Sequence, residues 1–284
     1  MNKTTKKTLN CRGRLIELAN GSTPPAVMGI LNVTPDSFFA SSRVAIDSSL
    51  DAAARMLADG ATFLDIGGYS TRPGAAPVES GDEADRVVPV IEAILSEYPD
   101  ALLSIDTFRA DVARQAVGAG ACLVNDVAGG TLDPFMFETV AGLGVPYVLM
   151  HMRGTPQTMQ TMTSYQNVTL DVIDELAIRL AELRALGQKD VILDPGFGFA
   201  KTATQNFELL THLDEFRVFD EPLLVGLSRK TTIWKTLGIT ADQALNGTTV
   251  LNTAALLKGA AILRVHDVRE AVEAVKLTQR LTFF

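Results

Sequence analysis

Cysteine is scarce in this chain. Cys11 and Cys122 are the only two among 284 residues, too few for a disulfide framework and without the spacing of a zinc site. The three histidines are too scattered to supply metal ligands in the usual pattern. Long hydrophobic runs are missing as well. No stretch approaches the ~20 apolar residues that span a bilayer, and the basic residues 1–7 lead into a polar segment rather than the apolar core of a secretion signal. A reducing, cytoplasmic setting is expected. Excess positive charge is also absent: Lys and Arg number 25 against 33 Asp and Glu, a net charge of −8. The bulk surface therefore repels nucleic acid and acidic membranes, and an anionic ligand requires a local cationic pocket. With 47% hydrophobic and 20% charged residues, the composition excludes disorder and fibrous repeats.

What the sequence does contain is order of one kind repeated. Short runs rich in Val, Ile and Leu occur at 26–31, 62–66, 102–105, 122–124, 146–150, 191–193, 222–225 and 261–265. Continuous apolar runs of this length are expected of strands buried on both faces. Amphipathic stretches follow them at 46–59, 82–97, 111–117, 134–143, 168–186, 206–216, 241–258 and 268–280, with a short extra helix at 231–237. Eight strand–helix pairs without a linker predict a single-domain (β/α)₈ TIM barrel over residues 26–284, preceded by an N-terminal extension at 1–25 whose start is frayed or a short hairpin. The alternative, a doubly wound open sheet, calls for a glycine-rich fingerprint after the first strand. Asn32-Val33-Thr34-Pro35 stands there instead.

In a barrel the site lies at the C-terminal ends of the strands. Those ends carry Asn32, Asp65, Asp106, Asn125 with Asp126, His151, Asp194, Gly226, and Arg264 with His266. The cations Arg229, Lys230, Arg264 and the nearby His266 come from the last two strands, where barrels frequently bind phosphate. They read as a phosphate or pyrophosphate rim, or else as surface charges. Asp106, Asn125 and Asp194 suit a nitrogen heterocycle offering adjacent N–H donors, although helix or turn caps compete at Asp106 and Asp126. Long punctuated loops follow the first two strands, as mobile lids do. Residues 196–202, Gly-Phe-Gly-Phe-Ala-Lys-Thr, resemble a phosphate loop only superficially, and His151 between two methionines reads as a packed histidine.

Several segments carry a resemblance. Met28-Gly29-Ile30-Leu31-Asn32-Val33-Thr34-Pro35-Asp36-Ser37-Phe38, Asp65-Ile66-Gly67-Gly68 with Ser70-Thr71-Arg72-Pro73-Gly74, Ser104-Ile105-Asp106-Thr107, Asn125-Asp126-Val127, Leu149-Met150-His151-Met152, Asp194-Pro195-Gly196-Phe197-Gly198-Phe199, Leu227-Ser228-Arg229-Lys230 and Arg264-Val265-His266-Asp267 together resemble the dihydropteroate synthases. These are pterin-binding barrels of folate synthesis and sulfonamide targets. The resemblance implies condensation of 6-hydroxymethyl-7,8-dihydropterin pyrophosphate with 4-aminobenzoate, by an SN1-like route, with Mg²⁺ as cofactor and a homodimer as the assembly. It places the pterin on Asp106, Asn125, Asp194, Lys230, Gly226 and Phe199. Pyrophosphate falls to Asn32, Arg264 and His266, with Asn32 near the metal, and aminobenzoate to Thr71, Arg72, Pro73, Phe199 and Ser228. Catalytic roles fall on Asp106, Lys230, Arg264, Asp36 and Arg72. Tyr69 and Ala40-Ser41-Ser42-Arg43 depart from the family's common Glu and Asp-Gly-Gly. A pterin-binding methyltransferase domain and a non-catalytic pterin-binding paralogue are the alternatives.

Overall fold

The computed structural model describes residues 7–18, 23–33, 42–69 and 78–281, with the backbone alone for 42–45. The expected loops at 34–41 and 70–77, and with them Asp36, Thr71, Arg72 and Pro73, lie outside the described residues.

Eight parallel strands form the barrel wall: β3 (Ala26–Asn32), β4 (Phe63–Gly67), β5 (Leu103–Asp106), β6 (Leu123–Asp126), β7 (Tyr147–Met150), β8 (Val191–Asp194), β9 (Leu224–Val225) and β10 (Ile262–Val265). They pair in chain order, and β10 pairs with β3. The ring closes between β8 and β9 through a bridge of Leu193 with Leu223, where the Leu193 N–H donates to the Pro222 carbonyl at 2.9 Å. Helices α1 (Ser42–Ala58), α2 (Ser80–Glu97), α3 (Ala110–Gly118), α4 (Met136–Leu143), α5 (Val168–Ala185), α6 (Ala203–Thr211), α7 (Thr231–Leu237), α8 (Leu245–Leu257) and α9 (Val268–Leu281) follow the strands. The open-sheet alternative is excluded.

Side chains alternate across each strand. The outward set, including Leu64, Ile66, Leu103, Ile105, Leu149, Leu193 and Val265, packs on helix residues such as Val87, Ile91, Val112 and Leu176. The inward set changes character with height. Near the strand starts it is apolar: Met28, Phe63, Leu123, Val148, Ile192, Leu224 and Ile262. Because strand register is fixed by the ladder, the next inward positions up are Asp65, Ser104, Asp106, Asn125, Asp194 and Arg264. Burial on both faces is why the strands read as largely apolar runs, interrupted at Asp65, Ser104 and Arg264 and ended by Asp106, Asn125 and Asp194.

The N-terminus forms a hairpin, β1 (Lys7–Cys11) and β2 (Arg14–Leu18), paired antiparallel. Its two-residue turn, Arg12 and Gly13, has φ of 56° and 79°, as a primed hairpin turn requires. Leu9, Cys11 and Leu18 are buried in the cluster that closes the barrel floor. The hairpin thus plugs the barrel. Two helices differ from expectation. The stretch at 206–216 is α6 followed by a 3₁₀ turn at Leu213–Val218, and the stretch from 241 turns helical only at Leu245. In the first, Leu209, Leu210, Leu213 and Phe216 keep helical spacing and are all buried, so the apolar pattern survives a change in hydrogen bonding.

Candidate functional site

The polar inward residues converge around Arg264. Its Nε donates to Asp65 Oδ2 at 2.5 Å and its Nη2 to Asp106 Oδ2 at 2.5 Å. Asn125 Nδ2 donates to the same Asp65 oxygen at 2.8 Å, which fixes the amide's orientation and turns its own oxygen away from Asp65. The other Asp65 oxygen is buried without a protein partner. Burial pushes the Asp106 carboxyl up to about 7, against the pull of Arg264. Burial would lower Arg264, but Asp65 and Asp106 more than offset it and hold the guanidinium firmly charged. Gly67 faces this ring, where a Cβ would meet Asp106 Cβ at 3.5 Å and Asn32 Oδ1 at 3.8 Å, ordinary contact distances.

Asp194 stands at the end of β8, 6% exposed, its Oδ1 accepting from the Gly196 N–H at 2.8 Å. Burial raises its pKa, and Lys230, the cation with the largest compensating pull, lowers it. Lys230 Nζ donates to the Phe197 carbonyl and lies 4.6 Å from the centre of the Phe199 ring. Burial pulls this ammonium down to about 8. Gly198, at φ 81°, allows the approach: a Cβ would lie 2.9 Å from Lys230 Cδ. Gly226 lies between the Lys230 and Arg264 side chains.

At the rim, Ser228 and His266 act as a pair. The His266 N–H donates to Ser228 Oγ at 3.1 Å, and the Ser228 hydroxyl lies 3.0 Å from His266 Nδ1. The two side chains hold each other through this contact, which the hydroxyl can make as donor or acceptor. Ser228 therefore belongs to the His266 side of the mouth. Asn32 is exposed at the end of β3.

Two expectations are corrected. Arg229 does not join the cationic rim. It makes a bidentate pair with Asp267, at 2.9 and 2.8 Å, and donates to the carbonyls of Ala241 and Asp242. Asp106 is not a helix cap, since Arg109 precedes α3. Asp126 is the turn cap: its oxygens accept from the N–H groups of Ala128 and Gly130 and from the Tyr147 hydroxyl. His151 is packed, 4% exposed, between Glu175 and Lys201. Asp65, collected from the sequence as one strand end among several and given no role, is the residue that holds both Arg264 and Asn125. Tyr69 packs edge-on against Phe108 with Arg109 beside both rings.

A carboxylate-lined interior with a cationic mouth, at the C-terminal end of a barrel, suits a flat N–H-bearing heterocycle with an anionic tail. That arrangement defines a pterin-binding enzyme, and the family model described as pterin binding enzyme matches residues 28–266. The dihydropteroate synthase of Escherichia coli (strain K12) is 42% identical over 262 residues, covering 90% of this chain and 91% of that one. A Yersinia pestis dihydropteroate synthase structure with a sulfonamide drug superposes with a TM-score of 0.90 at 42% identity, covering 97% and 99% of the two chains. The Xanthomonas albilineans enzyme in complex with 7,8-dihydropteroate gives 0.86 at 35% identity, covering 98% and 99%. The chain belongs to the dihydropteroate synthase family.

Proposed function

We propose that this chain joins 4-aminobenzoate to 6-hydroxymethyl-7,8-dihydropterin pyrophosphate, releasing 7,8-dihydropteroate and pyrophosphate. The observation that carries this reading is the inward ring of Asp65, Arg264, Asp106, Asn125 and Asp194 beneath a mouth built from Lys230, Ser228 and His266. In this reading Asp194, Asp106 and Asn125 receive the pterin edge, Gly226 leaves room for its plane, and Lys230 and Phe199 flank the ring. Asp65 holds Arg264 and Asn125 in place.

The aminobenzoate amine is a weak nucleophile because its lone pair delocalises into the ring, so catalysis acts on the leaving group. Arg264, His266 and Asn32 take up the charge that grows as the C–O bond breaks. The electron-rich dihydropterin spreads the resulting methylene cation, and no covalent bond to the protein is required. Among the described residues no group of three or more His, Cys, Asp or Glu side chains could hold a metal ion. The exposed amide of Asn32 fits a substrate-bridged Mg²⁺, which commonly keeps one or two protein oxygens alongside phosphate oxygens. Bound there, the ion would neutralise the departing pyrophosphate. Aminobenzoate is assigned to Phe199 and Ser228, with Thr71, Arg72 and Pro73 from the second loop, while Asp36 of the first loop is assigned a catalytic role.

A homodimer is supported by the outer face of the later helices, where Leu237, Val250, Leu257, Leu277 and Leu281 are each about half to two-thirds exposed. Exposed apolar side chains on the successive helices α7, α8 and α9 suit an association surface. A cytoplasmic setting accords with Cys11 and Cys122, both free thiols.

Pyrophosphate release with both substrates present tests the activity, and binding of a pterin without turnover would leave only the non-catalytic reading. Arg264→Ala should lower kcat and kcat/KM together, by roughly 100-fold, since it removes charge stabilisation that grows in the transition state. Aminobenzoate should bind poorly to the free enzyme and well once pyrophosphate and Mg²⁺ are present. Arg72→Ala should raise its KM while leaving pterin affinity intact. Equal affinity in both conditions would defeat the ordered scheme.

A further inference from the structure

Behind the pterin floor lies a buried lysine that the proposed chemistry does not use. Lys201 closes the loop between β8 and α6 and is 6% exposed. A protonated lysine has three N–H donors, and three acceptors meet this one: the Gly196 carbonyl at 3.0 Å, the Phe199 carbonyl at 3.1 Å and His151 Nδ1 at 3.0 Å. Since Nδ1 accepts, the His151 proton sits on Nε2, which donates to Glu175 Oε2 at 2.9 Å. Burial first, then Lys201, hold His151 down to about 4, so the imidazole stays neutral. Glu175 also takes the guanidinium of Arg153, which lies 3.9 Å from the centre of the Tyr165 ring. The lysine is thus held from α5 outward.

The loop it holds is a constrained one. Gly196 has φ 72°, and a Cβ there would lie 1.9 Å from the His151 carbonyl oxygen. Ala200 is left-handed at φ 49° without being glycine, a conformation that persists only where surroundings impose it. Lys201 bonds carbonyls at both ends of the turn between these two positions. The same turn carries the Phe197 carbonyl that accepts from Lys230 and the Phe199 ring beside that ammonium.

We propose that Lys201, braced by His151 and Glu175, is a positioning residue that fixes the 196–199 turn and so aims Lys230 and Phe199 at the pterin. This rests on the reading that Asp194 and Lys230 face the pterin. Burial lowers Lys201 to about 7. Asp194 of β8 and Glu175 of α5 raise it, while Lys230 and Arg153 lower it, and neutral His151 faces it from the end of β7. Losing the proton removes one of three donors, so pterin affinity should decline as pH rises from about 6.5 to about 8, ahead of Lys230.

The test is calorimetric titration of 6-hydroxymethylpterin and, separately, inorganic pyrophosphate into the wild type, Lys201→Met, Glu175→Gln and Asp194→Asn. Lys201→Met should weaken pterin about tenfold, leave pyrophosphate affinity within about twofold and reduce the pH dependence in that window, leaving the part carried by Asp106. Glu175→Gln should show the same selective loss, about threefold. A wild-type pterin affinity and pH profile in Lys201→Met would overturn the proposal, as would parallel loss of pterin and pyrophosphate. Should Lys201→Met fail to fold, Glu175→Gln decides by the same comparison, with an unselective or absent effect counting against it. Asp194→Asn separates the two readings. Unchanged pterin affinity there sinks the site assignment itself, whereas a large loss there beside an unaffected Lys201→Met sinks only the role of Lys201.

Discussion

The two ends of the barrel are made by the same strands and have opposite chemistry. At the floor, Met28, Phe63, Ile192 and Ile262 meet the hairpin residues Leu9, Cys11 and Leu18 in a dry, buried cluster. Two residues further along β4 Phe63 gives way to Asp65, and along β8 Ile192 gives way to Asp194. One end is closed by apolar contact. The other holds carboxylates that burial drives toward neutrality unless a cation or a ligand donor meets them. The floor therefore carries stability and the mouth carries recognition, and a substitution at either end should affect chiefly the property that resides there.

The largest effect should come from breaking the floor. Phe63 is fully buried, and Phe63→Ala should cost about 3–5 kcal/mol of unfolding free energy through lost transfer energy and a cavity. The fraction still folded should keep its pterin affinity, as thermal unfolding paired with calorimetry would show. A matching fall in intrinsic affinity would mean that the two ends are not separable.

Next comes the mouth. If Asp194 accepts two pterin N–H groups, Asp194→Asn sets donor against donor and should cost ~3 kcal/mol of binding. Burial raises the Asp194 pKa, so removing that charge should leave the melting temperature unchanged or higher. A variant with lowered stability and unaltered pterin binding would reverse the comparison.

The last effect is a pH dependence carried by Asp106 at the mouth and by Asp126 at the turn cap beside it. Burial raises Asp106 to about 7 and Asp126 to about 6. The folded chain holds these protons more tightly than the unfolded chain, whose aspartates release them near about 3.9. Stability contributed by these two groups is therefore greatest in acid. It falls as pH climbs from about 4 to about 7, then levels off. Asp106→Asn should flatten the upper part of that slope in chemical denaturation, and an unchanged slope would assign it to other groups.

Strand number, order and approximate position were legible because parallel strands buried on both faces produce continuous apolar runs. Their C-terminal limits were not. The run at 122–124 stops at Asn125, yet β6 extends to Asp126, and β5 and β8 likewise end on Asp106 and Asp194. Ladder hydrogen bonds belong to the backbone and continue through a polar residue that hydropathy treats as a boundary. Proline set the other limits: Pro146 and Pro222 open their apolar runs but precede β7 and β9, since neither has an N–H for the ladder. The hairpin floor was only partly legible, because its alternating residues Leu9, Cys11, Ile16 and Leu18 are too few to show what they cover.

The candidate site divides in the same way. Asp106, Asn125, Asp194, Lys230, Arg264 and His266 could be collected from sequence, because a barrel brings every strand end to one face. Which of them touch could not. Arg264 meets Asp65 and Asp106 across 199 and 158 residues of chain, and Arg229, equally charged and next to Lys230, pairs with Asp267 instead. Lys201, set aside with an imperfect phosphate-loop pattern, proves to be fully coordinated in the loop beside the mouth. Sequence alone determined the barrel and the set of polar residues at its mouth, because alternation and hydrophobic runs are local consequences of backbone geometry. Tertiary structure alone decided the partners of each charge, because strand stagger and side-chain reach select one of several electrostatically possible pairings, and burial then fixes the ionisation of the groups so joined.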